Sequence, residues 1–114
     1  MAYNEALAGR IRDALSRTRR VEEKRMFRGV TFMVNGKMCV SVGHDDMMCR
    51  IDPSLHDTVV HRNGCRPVVM KGREYKGWIL ITEEGWKAKK DFDFWISLSL
   101  AFNKHAKASK KKKG

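Results

Sequence analysis

Asn35-Gly36 separates two apolar runs, MFRGVTFMV and KMCVSVG, and this is the strongest constraint on what the chain folds into. A two-residue connection between paired strands needs positive φ at both central positions, which Asn followed by Gly adopts at low cost. The segment is therefore a β-hairpin. Counting back from the turn, Val34 is expected opposite Lys37, Met33 opposite Met38, Phe32 opposite Cys39 and Thr31 opposite Val40. Side chains alternate across a strand, so both faces of this hairpin carry apolar groups and neither is suited to water.

Other elements follow from periodicity. Residues 4–18 form a helix, with Asn4 as N-cap and Leu7, Ile11, Ala14 and Leu15 on one buried stripe. Strands are expected at 22–27, 30–35, 37–43 and 47–52, with Met47, Cys49 and Ile51 on the core side of the last. Pro53 starts a short helix over 53–62 behind an Asp52 cap, ended by Asn63-Gly64. Two further strands lie at 67–71 and 77–82, with residues 72–76 as a loop and Gly77 allowing a bulge that packs Trp78 over the core. From 91 to 106 the pattern is helical again, capped by Asp91 and apolar over most of its circumference. Such a helix needs covering by the sheet and first helix together, or by another subunit. The fold class is α+β: two layers, a mainly antiparallel sheet of about five to six strands, and helices at the N-terminus, middle and C-terminus.

At 114 residues the chain makes one domain with a single core. Net charge is +11, but residues 104–114 hold six Lys and no acid, which leaves +5 (11 − 6) for residues 1–103. The expected organisation is a domain over 1–103 and a lysine-rich, disordered tail over 104–114. The three cysteines, Cys39, Cys49 and Cys65, show no C-x-x-C spacing, so reduced thiols in the cytoplasm are expected. No signal peptide and no apolar run of ~20 residues is present, so no membrane partner is expected.

Constellations that could carry chemistry are weak. His44, Asp45, Asp46, Cys49, His56, His61 and Cys65 fall close together in sequence but match no metal-ligand frame, and His56 and His61 do not share a helical face. Cys39 and Cys49 lie mid-strand among apolar neighbours, which leaves Cys65 as the thiol to probe for reactivity. Glu83-Glu84 belongs to a turn and Asp91/Asp93 to a helix start. Gly72 and Gly77 form no phosphate loop. The expectation is no catalytic residue, no metal and no cofactor.

Surface chemistry is more informative. Cations cluster in the first helix and its exit, in the region of residues 62–76 beside Tyr75 and Trp78, and in the tail. Candidate phosphate contacts are Arg10, Arg17, Arg19, Arg20, Arg73, Lys76 and Lys110, Lys111, Lys112 and Lys113, without any base-reading motif. The surplus apolar surface nominates Phe32, Met33, Met38 and Met48 for contact with a protein partner or a second copy.

Three separated blocks resemble the TfoX/Sxy N-terminal domain family. The first runs from Val21 and Lys24 through Met26, Phe27, Gly29 and Phe32-Met33-Val34-Asn35-Gly36-Lys37-Met38-Cys39; the second is Asp46-Met47-Met48 with Arg50. The third is Arg66-Pro67, Gly72-Arg73 and Lys76-Gly77-Trp78. The order and spacing hold over roughly residues 3–102, with Arg28 replacing a usual glycine. The resemblance implies a small α/β domain with an antiparallel sheet, no catalytic centre, and a role like that of competence regulators, whose longer members continue into a second, helical domain. The function expected is a non-enzymatic regulatory or protein-interaction module, with a nucleic-acid-associated accessory protein as the alternative.

Overall fold

The computed structural model describes residues 3–26 and 29–106. In chain order these are α1 (Glu5–Ala14), β1 (Val21–Met26), β2 (Gly29–Val34), β3 (Lys37–Val42) and β4 (Met47–Arg50). A 3-10 turn (Pro53–Leu55), α2 (His56–Val59), β5 (Cys65–Met70), β6 (Arg73–Ile81), α3 (Glu83–Trp86) and α4 (Lys89–Asn103) follow. The strands form one antiparallel sheet in the order β1-β2-β3-β4-β6-β5. The expected α+β class, with helices at both ends and in the middle, is what the chain adopts.

Asn4 caps α1 by accepting the Leu7 amide at 2.9 Å. Leu7, Ala8, Ile11 and Leu15 are buried, whereas Ala14, expected on that stripe, is exposed at the helix end. The helix is also shorter than the 4–18 expected, because the Thr18 amide turns back to the Leu15 carbonyl at 2.9 Å.

The β2–β3 hairpin forms around Asn35 (φ 56°) and Gly36 (φ 75°), with Val34 opposite Lys37 and Met33 opposite Met38. Beyond that pair the expected register fails. A bulge leaves Cys39 without a cross-strand partner, so Phe32 faces Val40, Thr31 faces Ser41 and Val30 faces Val42. One extra residue on β3 puts Cys39 and Val40 both in the core and lets the buried Thr31 and Ser41 hydroxyls bond at 3.1 Å.

The main core lies between one sheet face and the helices. Phe32, Val40, Val42, Met47, Cys49, Ile79 and Ile81 meet Leu7, Ile11, Phe92, Trp95 and Ile96 there. α4 begins at Lys89 with Ala88 as its cap residue, so Asp91 sits in the first turn rather than at the cap. Its apolar circumference is covered within the chain in part: Phe92, Trp95 and Ile96 are buried, while Phe94, Leu98, Leu100 and Phe102 are half-buried. Arg10 stacks 4.3 Å over Phe92, Arg62 3.9 Å over Phe94, and Arg50 5.9 Å over Phe102. Asn103 closes the far end, donating to the Val34 carbonyl at 3.1 Å.

The middle helix is a 3-10 turn plus one α-turn rather than a helix over 53–62. Asp52 caps it as expected, accepting the Ser54 amide at 2.9 Å. Thr58, Val59 and Val60 are β-branched and weak helix formers, and the chain must reverse by Cys65 to enter β5. The expected loop over 72–76 is also corrected. β5 and β6 are joined by Lys71-Gly72 alone, at φ 52° and 77°, the same two-residue turn as Asn35-Gly36.

Candidate functional site in the β5–β6 arm

β4 pairs with β6 only from Trp78 to Ile81, so residues 73–77 of β6 and their β5 partners run past the end of β4 as a two-stranded arm. The arm is bent and braced at Gly77. Val69 faces Glu74 while Pro67 faces Ile79, so extra residues of β6 bulge out around Gly77, whose φ is +91°. A Cβ on Gly77 would lie 3.1 Å from both the Ile51 carbonyl oxygen and Pro53 Cγ. Glycine is required there for the conformation and for this approach.

His56 holds the bulge. Its ring is fully buried; Nδ1 accepts the Gly77 amide at 3.1 Å, and Nε2 lies 2.7 Å from Glu74 Oε2. An accepting Nδ1 puts the ring hydrogen on Nε2, which donates to the carboxylate. Lys76 bonds Asp57 and stands 4.0 Å from Glu74, so one ammonium serves both carboxylates. Asp57 sits below the usual carboxylate range because of its hydrogen bond to Lys76. His56, Asp57 and Glu74 could present three ligand atoms within 4.8 Å of one another. Both ring nitrogens are already engaged and Asp57 and Glu74 already share the Lys76 ammonium, so the cluster works as a clamp on the arm. A shallow cavity of about 310 Å³ beside it is lined by Asp57, Val60, His61, Pro67, Glu74 and Lys76.

The outer part of the arm is unusually apolar for a surface. Val69 is 57% exposed, Met70 50% and Tyr75 38%, and β5 is an edge strand. Among the described residues the side chains of Arg66, Lys71 and Arg73 have no ion-pair partner.

The residues nominated from sequence are dispersed. Phe32 is fully buried in the core, which removes it from the contact surface of the folded chain. Met33 and Met38 face each other on the opposite side of the hairpin and are buried as well, and Met48 is half-buried. Arg10 works internally, donating to the Trp86 carbonyl at 2.6 Å while stacked on Phe92. Arg17, Arg19 and Arg20 are in the link between α1 and β1, and Arg73 and Lys76 are in the arm. Lys110, Lys111, Lys112 and Lys113 lie outside the described residues.

Burial pushes the Cys39 and Cys49 thiols up to about 12 and the Cys65 thiol to about 11, so none is a ready thiolate. Sequence reasoning missed the His56 clamp and the exposed Val69-Met70 pair. The Lys71-Gly72 step between strand-like residues was the available signal for the arm; the partners of His56, 18 and 21 residues away, left none.

A single open antiparallel sheet, helices at its ends and middle, and a bulged terminal hairpin define a small α+β domain. The chain belongs to the TfoX N-terminal domain family, which matches residues 13–103. No curated protein and no solved structure matches the chain. No helix among the described residues is long and apolar enough to cross a membrane.

Proposed function

We propose that the chain is a non-enzymatic regulatory module of the competence-regulator type that docks a protein partner along the outer side of β5. One observation carries this: of the four large apolar side chains exposed among the described residues, Val69, Met70 and Tyr75 lie on the arm, beside an unpaired strand edge. An exposed edge with adjacent apolar side chains accepts an added strand, main-chain bonds supplying affinity and side-chain contacts selecting the partner. The cations Arg66, Lys71 and Arg73 favour a segment with acidic flanks and oppose pairing with a second copy of the same basic arm. The raised thiol pKa values and the engaged His56 support a non-enzymatic role, and the free cysteines suit the cytoplasm.

The test compares the full chain with Val69→Lys/Met70→Lys as bait in an extract of the source cells, with sedimentation of each alone. Partners retained by the native chain and lost by the variant, with both sedimenting as monomers, are expected. Equal retention by the two proteins removes the β5 edge from the interaction, and a native dimer made monomeric by the variant replaces the partner with a second copy.

A further inference from the structure

Strand direction gathers separate cations at one end of the sheet. β1 starts beside the β2–β3 turn, since Val21 pairs with Val34 and the Asn35 amide donates to the Arg20 carbonyl at 3.1 Å. β4 runs toward that same end, because Cys49 pairs with Val40, and Arg50 pairs with Trp78 at the base of the arm. The arm therefore projects at the end where Arg17, Arg19 and Arg20 lie. α4 finishes there too, with Lys37 Nζ donating to the Asn103 carbonyl at 3.0 Å. Arg17, Arg19, Arg20, Lys71, Arg73 and Lys104 thus share one end, and among the described residues none of their side chains has an ion-pair partner. The acids in the same region are Asp13 and Glu22, Glu23, which is held by Arg12, Asp52, which caps the 3-10 turn, and Asp57 and Glu74, which share Lys76. The opposite end mixes signs, with Asp45, Asp46, Glu83 and Glu84 alongside Lys87, Lys89 and Lys90.

We infer that this end is a phosphate-binding surface for a DNA duplex, with the β5–β6 arm entering the major groove and Arg17, Arg19 and Arg20 holding the flanking backbone. Four inter-strand steps separate β1 from β6, about 19 Å at ~4.8 Å per step. That span exceeds a major groove of ~12 Å, which admits a two-stranded ribbon. The arm presents Lys71, Arg73 and Tyr75, and its one carboxylate, Glu74, is bonded to His56 and lies 4.0 Å from Lys76, so the arm's contacts are cationic, to phosphate and sugar. This inference is independent of protein docking on β5: Val69→Lys/Met70→Lys, which would break docking, adds cations to the arm and leaves duplex binding intact or tighter.

The experiment measures the affinity of the full-length chain for a 20-base-pair DNA duplex across a salt series, with an RNA duplex and phosphatidylserine-containing vesicles as parallel probes. The variants are Arg17→Gln/Arg19→Gln, Lys71→Gln/Arg73→Gln, their combination, and substitution of Lys110–Lys113 by Gln, each checked for unchanged thermal unfolding. Each pair of lost contacts should flatten the log-log salt slope by about 1.8, and the combination by about 3.6. A tail variant that retains most of the slope supports the surface on the fold. Tighter binding of the DNA duplex is expected, because the major groove of A-form RNA is too deep and narrow for the arm; equal or tighter binding of the RNA duplex overturns groove entry. The inference is overturned if the two pairs leave the slope unchanged, if only the tail variant lowers it, or if vesicles bind while neither duplex does.

Discussion

β1 and β5 are both edge strands, but they meet solvent differently. β1 exposes four consecutive charged residues, Glu22 to Arg25, and Glu23 is held from α1 by a two-pronged bond to Arg12 at 2.6 and 2.7 Å. Charges along an edge discourage another strand from pairing there. β5 offers one charge, Arg66, then Pro67, then Val68, Val69 and Met70. Pro67 removes one donor, but the strand beyond it keeps both its backbone groups and its apolar side chains. The means of attachment differ as well. β1 is tied by a solvent-exposed ion pair, whereas the arm is braced by a fully buried histidine bonded to a backbone amide. An edge closed by charge needs little support, while an edge left open for contact must be held rigidly from behind.

Removing the buried brace should have the largest effect. His56→Ala leaves the Gly77 amide without its acceptor and opens a cavity, at a cost of about 3 kcal/mol in denaturant unfolding. Amide exchange at residues 74–77 should accelerate more than in β1; an equal rise in both would show that His56 supports the whole fold rather than the arm.

The thiols extend the contrast from the sheet centre to its β5 edge. Their folded pKa values are raised above the ordinary value of 9.0, so the neutral thiol is favoured by folding and its contribution is complete below about 9. As pH rises toward about 12 the unfolded chain releases protons first, and stability falls by up to about 1.4 kcal/mol per thiol per pH unit. An alkaline titration of unfolding should show this loss, and Cys49→Ala should reduce its steepness. At neutral pH a thiol reagent should modify the half-buried Cys65 before Cys39 or Cys49; the reverse order would contradict the burial gradient.

On the closed edge, Arg12→Ala should cost about 0.5 kcal/mol and less in high salt. The hydrogen bond from Arg12 holds the Glu23 carboxyl below its ordinary value of 4.5. The pair therefore contributes above that pH and is lost as acidification protonates Glu23 through its lowered folded pKa. Loss of the acid dependence in Arg12→Ala would check the sign.

The smallest stability effect belongs to the open edge. Val69→Lys/Met70→Lys should change unfolding by less than about 0.5 kcal/mol, because both side chains are exposed, while losing the partner that the native chain retains. A drop of several kcal/mol would mean that these residues pack into the fold.

Local chemistry made much of the architecture legible. Asn35-Gly36 specified a hairpin because few pairs adopt its two positive φ values cheaply, Asn4 and Asp52 announced their caps, and the alternation of Met47 to Ile51 identified the core side of β4. The Cys39 bulge was not legible: a ladder with or without one extra residue is compatible with the same apolar runs, and the choice depended on bonding Thr31 to Ser41 and packing Phe32 beside Val40. The apolar circumference of α4 left open whether the sheet and first helix or another subunit covers it; the fold packs Phe92, Trp95 and Ile96 against the sheet and α1 and sets arginines from α1, β4 and the turn after α2 over its rings.

The amino-acid sequence by itself determined the α+β class, the antiparallel hairpins, most strand positions and the excess of positive charge, because these depend on side-chain period, turn conformation and composition. Tertiary structure alone decided which edge stayed open, where His56 found its partners, and which cations were spent on aromatic rings or gathered unpaired at one end. Those outcomes depend on strand order and on contacts between residues far apart in the chain, where burial makes an unmade hydrogen bond costly and leaves exposed charges free to meet a partner.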